Sequence, residues 1–532
     1  MPALLFWFTT MISGFTALAC LIFFFRIRLF LPVLSIKIWL AFVVVIFLSA
    51  GIRFVWLPNQ HNVFYDEFVH MTIGKTAYMD QKVGMDSFMP LKEGKIQVPK
   101  WGSGFYVLQA AWYHLFGFSE NSAFRLNRVV SVLCVAGAFF LAVMLFESGP
   151  AGLWSVLIMS LYPLQLKFST GLSIELASIL SLQISLISLL VFLKNQSWNT
   201  FWLALFSTIL YCLMRIDNTI IGIPVIIFMA VRQMKFVATG PQRVIFGVVL
   251  LFITCPLVYQ MVRALELESG YHSQQIPIFI AQNAAFLILS PIHPASFTLF
   301  AVIGLGVIFK LNRHLFWVLS YGCLIPIIFY SFIHRVNFFH AGFSRFFLLS
   351  SPLLLLAAAK GLDTISDKKV LAQGCCALIV LVSCILPWDT IGQPYKPYFN
   401  QELDFIKAGE KHLPDDAVVL SVLPFLHQIV QAREAFNLRV VNKPEQMAYL
   451  RSMKKPILLY QPLVFHIKNP YHDKLKKKVD SLWQVTPVLT GEIEFPIHWF
   501  ENPIQQMQAS GWHNDAPQFQ KTTVGFYALV EK

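Results

Sequence analysis

The chain has 532 residues, of which 56% are hydrophobic and 15% aromatic, while only 13% are charged. A soluble protein carries roughly a quarter charged residues, so a soluble multidomain enzyme is excluded as a description of the whole chain. Apolar stretches near the ~20 residues of a bilayer crossing recur instead, and the formal charge of +13 is unevenly placed. From Asp389 onward 16 Lys and Arg meet 15 Asp and Glu, so the excess lies in the apolar part. Basic loops on one side of a membrane account for it without nucleic acid.

In chain order, hydropathy marks about twelve spans: 3–25, 36–57, 126–146, 151–167, 172–193, 199–214, 217–234, 243–262, 296–311, 314–333, 345–361 and 370–388. The first begins without a basic leader or a small-residue cleavage site and reads as a retained span. Threading the spans alternately puts the basic residues of the short loops, from Arg26 to Lys369, on one side, which the positive-inside rule makes cytoplasmic. Segments 58–125, 263–295 and 389–532 then face outward. Within the first of these, Phe105 to Phe118 is aromatic and short for a crossing, and reads as a helix lying in the interface. A crossing there would swap every later loop and invert the charge bias.

Pro387, Pro394 and Pro397 mark the exit from the membrane. Apolar runs at 417–420, 456–460 and 524–530 read as strands between helical stretches. The expectation is a polytopic α-helical membrane domain over 1–388, including an outward catalytic loop 58–125, and an extracytoplasmic α/β domain over 389–532. All eight cysteines lie in apolar stretches, so neither a disulfide framework nor a zinc site is indicated.

Ionisable groups in spans and at their edges default to functional hypotheses. Asp66 and Glu67 follow the second span closely, and a carboxylate at a membrane surface can take a proton from an attacking hydroxyl or amine. If that segment is helical, His70 shares a face with Asp66; the alternative is a pair of solvated loop acids. Lys100, Arg125 and Arg345 offer positive charge at the outer interface, where an anionic head group is the natural partner and snorkelling to lipid phosphates the ordinary alternative. Arg215 and Asp217 are two apart at an outward turn, close enough to pair with each other, as Glu175 is with Lys167.

His272, His293, His334 and His340 fall in outward loops without metal-ligand spacing, so a divalent metal is open and unsupported and no cofactor is assigned. Gly102-Ser103-Gly104 is too short for a phosphate cradle, and no nucleotide fingerprint occurs.

Several segments in order resemble the GT-C membrane glycosyltransferases, specifically the protein O-mannosyltransferase and aminoarabinose-transferase-like group. Tyr65-Asp66-Glu67 is similar to that family's acidic pair in the first external loop. Pro99-Lys100-Trp101-Gly102 through Gly117, then Ala123-Phe124-Arg125-Leu126, resembles its proline-led juxtamembrane helix and the arginine opening the next span. Leu161 to Glu175, Leu213 to Asp217, and Gly342 to Phe347 with Ser351-Pro352 are similar to its later outward hairpins and its late span. The similarity covers about residues 40–365.

The resemblance implies a polyprenyl-phosphate sugar donor and transfer of a single sugar, with inversion, to an extracytoplasmic lipid, glycan or protein. It makes Asp66 the general base and Glu67 a supporting acid. Lys100, Arg125 and Arg345 become the groups that neutralise the leaving phosphate, while His70, Glu175, Arg215 and Asp217 are candidates for substrate contact. The sequence departs from the member acting on lipid A around Lys100, where Val98 and Pro99 precede and Trp101 follows. The WWDYG sequence of oligosaccharyltransferases is missing. The competing readings are a polar-lipid transporter or flippase, which would show inverted repeats and midplane charges, and a non-catalytic membrane receptor.

Overall fold

The structure is a computed structural model that describes residues 2–24, 31–62, 65–85, 88–89, 102–234, 247, 254, 276–331, 338, 343–367, 370–393, 397–463, 470–496 and 519–531. The expected span 243–262 lies outside these, apart from two isolated positions. The chain divides into two compact units. One comprises Met1–Val63, Gly74–Val83 and Val98–Tyr395; the other comprises Phe64–Ile73, Gly84–Gln97 and Lys396–Lys532.

The first unit is helical. Among the described residues, five helices are long and apolar enough to cross a membrane: Pro2–Leu21, Ile36–Trp56, Glu120–Phe146, Ile174–Asn195 and Ile216–Gln233. Shorter apolar helices accompany them. In chain order the elements are α1 (Pro2–Phe24), α2 (Ile36–Gly51) running into a π-helical turn Ile52–Trp56, α3 (Asp66–Asp80), α4 (Gly104–Phe116), α5 (Glu120–Phe146), α6 (Gly149–Leu161), α7 (Pro163–Ser169), α8 (Ile174–Asn195), α9 (Trp198–Met214) and α10 (Thr219–Met234). Then follow α11 (Ile276–Leu289), α12 (Ala295–Leu311), α13 (Arg313–Phe329), α14 (Ser351–Ile365), α15 (Val370–Ile385) and α16 (Trp388–Gly392). Of these, α3 begins in the second unit and ends in the first.

Three details differ from the hydropathy reading. The expected span 151–167 is two helices, because Pro163 has no N–H to continue the ladder and turns Tyr162 out of the helical region. The expected outward loop 263–295 contains α11, whose 14 residues are too few to register as a crossing. The late span begins with a 3-10 turn, Phe343–Leu349, before Pro352 opens α14 in its first turn.

The break after α6 shows how these helices end inside an apolar medium. Its last carbonyls need partners, and Arg53 supplies them. Buried in the π-helical turn, Arg53 donates to Ser160 O at 3.0 Å and reaches Met159 O at 3.5 Å, while also bonding Ser49 Oγ at 2.6 Å and Ser131 Oγ at 2.7 Å. A cation at a helix C-terminus also complements the dipole, and one guanidinium thus joins α2, α5 and α6. Asn127 caps α7 in the same way, donating to Phe168 O and Gly171 O at 2.7 and 2.8 Å.

Small residues set the approach of α12 and α14. A Cβ at Gly304 would collide with the carbonyl oxygen of Ala357, and one at Gly361 with that of Phe300. This is the close backbone contact that membrane helices use when there is no hydrophobic drive between them. Gly304→Val is accordingly expected to force the pair apart, costing on the order of 1–3 kcal/mol or more. The check is a lowered thermal midpoint in detergent, which an unchanged midpoint would contradict.

The second unit contains α17 (Pro397–Gly409), β1 (Val418–Ser421), α18 (Pro424–Val430), β2 (Ala435–Asn437), α19 (Pro444–Ser452), β3 (Ile457–Gln461), α20 (Pro470–Leu482), β4 (Trp483–Pro496) and β5 (Phe519–Glu531). The sheet order is β2-β1-β3-β5-β4. β1 pairs in parallel with β2 and β3, as helical crossovers require, whereas β5 runs antiparallel to β3 and β4. Val418, Leu420, Leu438, Val440, Leu459 and Trp483 form one core.

His427 on α18 is wholly buried, 4.7 Å from the Tyr460 ring and 5.6 Å from Phe526, with Nδ1 3.0 Å from Gln431 Oε1. Burial pulls its pKa down from 6.5 to about 4. A depressed histidine contributes stability that is present above the unfolded value and lost as pH falls toward the folded one. Acidification from pH 7 to 5 should therefore weaken this unit by about 2 kcal/mol through His427 alone. Protection factors across 418–430, with the intrinsic pH dependence of exchange divided out, should fall over that range in the wild type and stay constant in His427→Phe.

Candidate functional site

The acidic pair opens a helix. Val69 N–H donates to Tyr65 O at 3.0 Å, so the ladder of α3 starts at Tyr65, and Asp66 and Glu67 occupy its first turn. Negative charge there complements the helix dipole. The two acids differ in access: Glu67 is wholly buried, while Asp66 is partly exposed. His70 is buried one turn on from Asp66, on the same face. Residues 64–73 belong to the second unit.

The first unit contains a dense ionic cluster of four candidates. Glu175, at the start of α8 and almost wholly buried, receives Ser173 Oγ at 2.7 Å on Oε2. Its Oε1 takes Arg215 Nη1 and lies 3.5 Å from Arg345 Nε. Arg215, placed by the extended turn that ends α9, also donates through Nη2 to Asp217 Oδ2 at 2.6 Å. Tyr330 gives its hydroxyl proton to the same Asp217 oxygen at 2.7 Å. The Phe346 ring lies 5.0 Å from both guanidinium carbons and stacks on Tyr330 at 4.7 Å.

Among the described residues two guanidiniums meet two carboxylates here, and the aromatic faces add cation–π attraction. A buried cluster of this kind is stable only while each charge keeps its partner. A shallow recess, little larger than a water molecule inside, reaches it, walled by Ile220, Ile221, Ile325 and Phe329 and ending on Asp217 and Tyr330.

The expected pairing of Glu175 with Lys167 is not what forms. Lys167, on α7, instead donates to the carbonyls of Thr390 and Gln393 at the end of α16. The Pro163 break turns it out of the helix that hydropathy had assigned to it. Arg215 and Asp217 do pair. Arg125 is exposed in the second turn of α5, and Lys100 lies outside the described residues. His293 is buried between Tyr162 Oη at 2.8 Å and Thr298 Oγ1 at 2.9 Å, the arrangement of a packed polar group. Among the described residues no cluster of His, Cys, Asp or Glu has the make-up to hold a metal ion.

Sequence reasoning did not single out Tyr330, Phe346 or Ser173. The signal for Phe346 was its place beside Arg345, whereas Tyr330 sat unremarked inside an apolar run.

This arrangement of helices is the GT-C fold of membrane glycosyltransferases. The chain is similar to the crystal structure of ArnT from Cupriavidus metallidurans in the apo state, with a TM-score of 0.50 and 12% identity over 84% of this chain and 95% of that one. It is also similar to ArnT from the same organism bound to undecaprenyl phosphate, with a TM-score of 0.50 and 10% identity over 92% and 98%. The apo oligosaccharyltransferase of Archaeoglobus fulgidus has a TM-score of 0.51 and 12% identity over 84% and 73%. Residues 103–259 match the family model described as dolichyl-phosphate-mannose-protein mannosyltransferase. No curated protein matches the sequence.

Removing one member of the cluster tests its balance. Glu175→Leu leaves, among the described residues, two buried guanidiniums facing one carboxylate and should cost about 3–5 kcal/mol. The double variant Glu175→Leu/Arg215→Met, which restores charge balance, should recover part of the lost thermal midpoint; a double variant no better than the single would refute the balance.

Proposed function

We propose that the chain is an inverting glycosyltransferase that moves one sugar from a polyprenyl-phosphate donor to an extracytoplasmic lipid, glycan or protein. The observation that carries this reading is the acidic pair opening α3, with Asp66 partly exposed and Glu67 wholly buried. The GT-C fold and the family match over 103–259 support it. So does the undecaprenyl phosphate bound by the ArnT structure to which the chain is similar, since that carrier is the expected product of transfer.

In the proposed mechanism Asp66 removes the proton of the attacking hydroxyl or amine as the anomeric bond to phosphate breaks. Single displacement needs no enzyme nucleophile, so one accessible carboxylate suffices. Glu67 holds the acceptor or Asp66 in place. Arg345, with Lys100 and Arg125, neutralises the phosphate that leaves, a form of charge stabilisation that often dominates catalysis. His70, Glu175, Arg215 and Asp217 serve as substrate-contacting or supporting groups, with Glu175 setting the place of Arg345. The hydrocarbon tail of the donor stays in the bilayer, so neither nucleotide nor nucleic acid is needed. The charge bias of the loops supports a site on the outer side of a bacterial cytoplasmic membrane.

The measurement is release of free polyprenyl phosphate by purified protein, given a panel of polyprenyl-phosphate sugars and a crude envelope extract. Wild type should release carrier with one donor in the presence of extract. Asp66→Asn should lower the rate by about 10²–10⁴-fold, the usual contribution of a general base. Release that is indifferent to Asp66 would remove it from the mechanism. No release with any donor by folded wild type would favour the transporter or receptor reading.

A further inference from the structure

Glu402 on α17 is 1% exposed, yet among the described residues its hydrogen-bond partners are all neutral. Oε1 accepts the hydroxyl of Tyr460 at 2.9 Å and the backbone N–H of Leu463 at 3.0 Å, while Oε2 accepts the hydroxyl of Tyr65 at 2.7 Å. Burial raises its pKa, and the three donors oppose that rise. A buried carboxylate without a cation is an expensive way to fill a core that an apolar side chain would fill more cheaply. One of its three bonds leads out of the sheet to the residue immediately before the acidic pair.

The contact is built from more than the hydrogen bond. Phe399, one helical turn before Glu402, meets the Tyr65 ring edge-on at 4.8 Å, and Tyr65 packs on the cluster of Tyr398, Phe399, Leu463, Ile493 and Val524. Tyr65 is therefore fixed by its ring and by its hydroxyl, and its carbonyl begins the ladder of α3. The return limb of the same loop is tied down separately. Asn437 N–H on β2 donates to Phe88 O at 2.7 Å, and Met89 packs against the main core of the unit.

We infer that Tyr65 and Glu402 are positioning residues, through which the C-terminal sheet sets the direction of the first turn of α3 and with it Asp66 and Glu67. The inference rests on the catalytic reading of Asp66 and gives the C-terminal unit a part in the same reaction. A carboxylate misplaced by a fraction of an ångström loses rate without losing affinity for the donor. The clamp thus predicts an effect on turnover rather than on donor binding.

The test compares wild type with Tyr65→Phe, Glu402→Gln and the double variant, in purified full-length protein. Tyr65→Phe keeps the ring on Phe399 and removes only the hydroxyl, so it folds even if the buried Glu402→Gln does not. Expected are faster amide exchange at residues 66–73, a kcat for carrier release lowered at least tenfold, and a donor KM within twofold of wild type. Because both side chains act through one bond, the double variant should be no slower than the worse single one.

Unchanged exchange in Tyr65→Phe overturns the clamp. Faster exchange with unchanged kcat overturns the positioning role while leaving Asp66 catalytic, and fully additive losses also count against it. If wild type releases no carrier, the catalytic reading fails separately, and exchange alone decides whether the clamp holds the helix.

Discussion

Inside a bilayer, a carbonyl or a cation that loses its protein partner gains no water in exchange. That constraint governs where these helices can stop. The chain breaks between α6 and α7 and closes the break with a side chain from far away: Arg53 meets the carbonyl of Ser160, 107 positions on. Asn127 does the same for α7, and Lys167 for the last carbonyls of α16. Each irregular segment is thus specified by a polar residue on a neighbouring helix, so that backbone geometry and helix packing are fixed together. The ionic cluster around Glu175 obeys the same rule with charges in place of carbonyls.

The proposed chemistry is distributed according to what each unit does well. The membrane unit can hold buried guanidiniums because it surrounds them with carboxylates and aromatic faces, as around Phe346. The second unit offers α17, whose Phe399 and Glu402 reach Tyr65 just before the acidic pair. A general base has to be accessible and still aimed, and the proposed base, Asp66, is partly exposed and sits beside the Tyr65–Glu402 contact rather than within it.

Much of this architecture was legible in the sequence because hydropathy reports it directly. The long apolar helices, the short aromatic α4 and strands β1, β3 and β5 were all marked by composition. The misses have physical causes. β4 contains Pro487 and Gly491 and shifts register between Pro487 and Leu489, so it lacks clean alternation. β2 is three residues long. The helix break at Pro163 was hidden by apolar residues on both sides of it.

For the site, the types of residue were readable and their partners were not. Arg215 and Asp217 are adjacent enough in sequence to pair, but the company of Glu175 and Arg345 depends on how three separate helical segments pack. Tyr65 was noticed only as part of an acidic motif, because nothing local connects it to Glu402.

The Tyr65–Glu402 bond closes a loop of 337 residues, and that length has a meaning in time. At ~5–20 residues per second, translation reaches Glu402 on the order of half a minute after Tyr65, and β3 and β5 come later still. For that interval the start of α3 stands without its clamp while helix after helix is inserted. The acidic pair is therefore made long before the residues that hold Tyr65, so an unfinished chain carries the two acids without that contact.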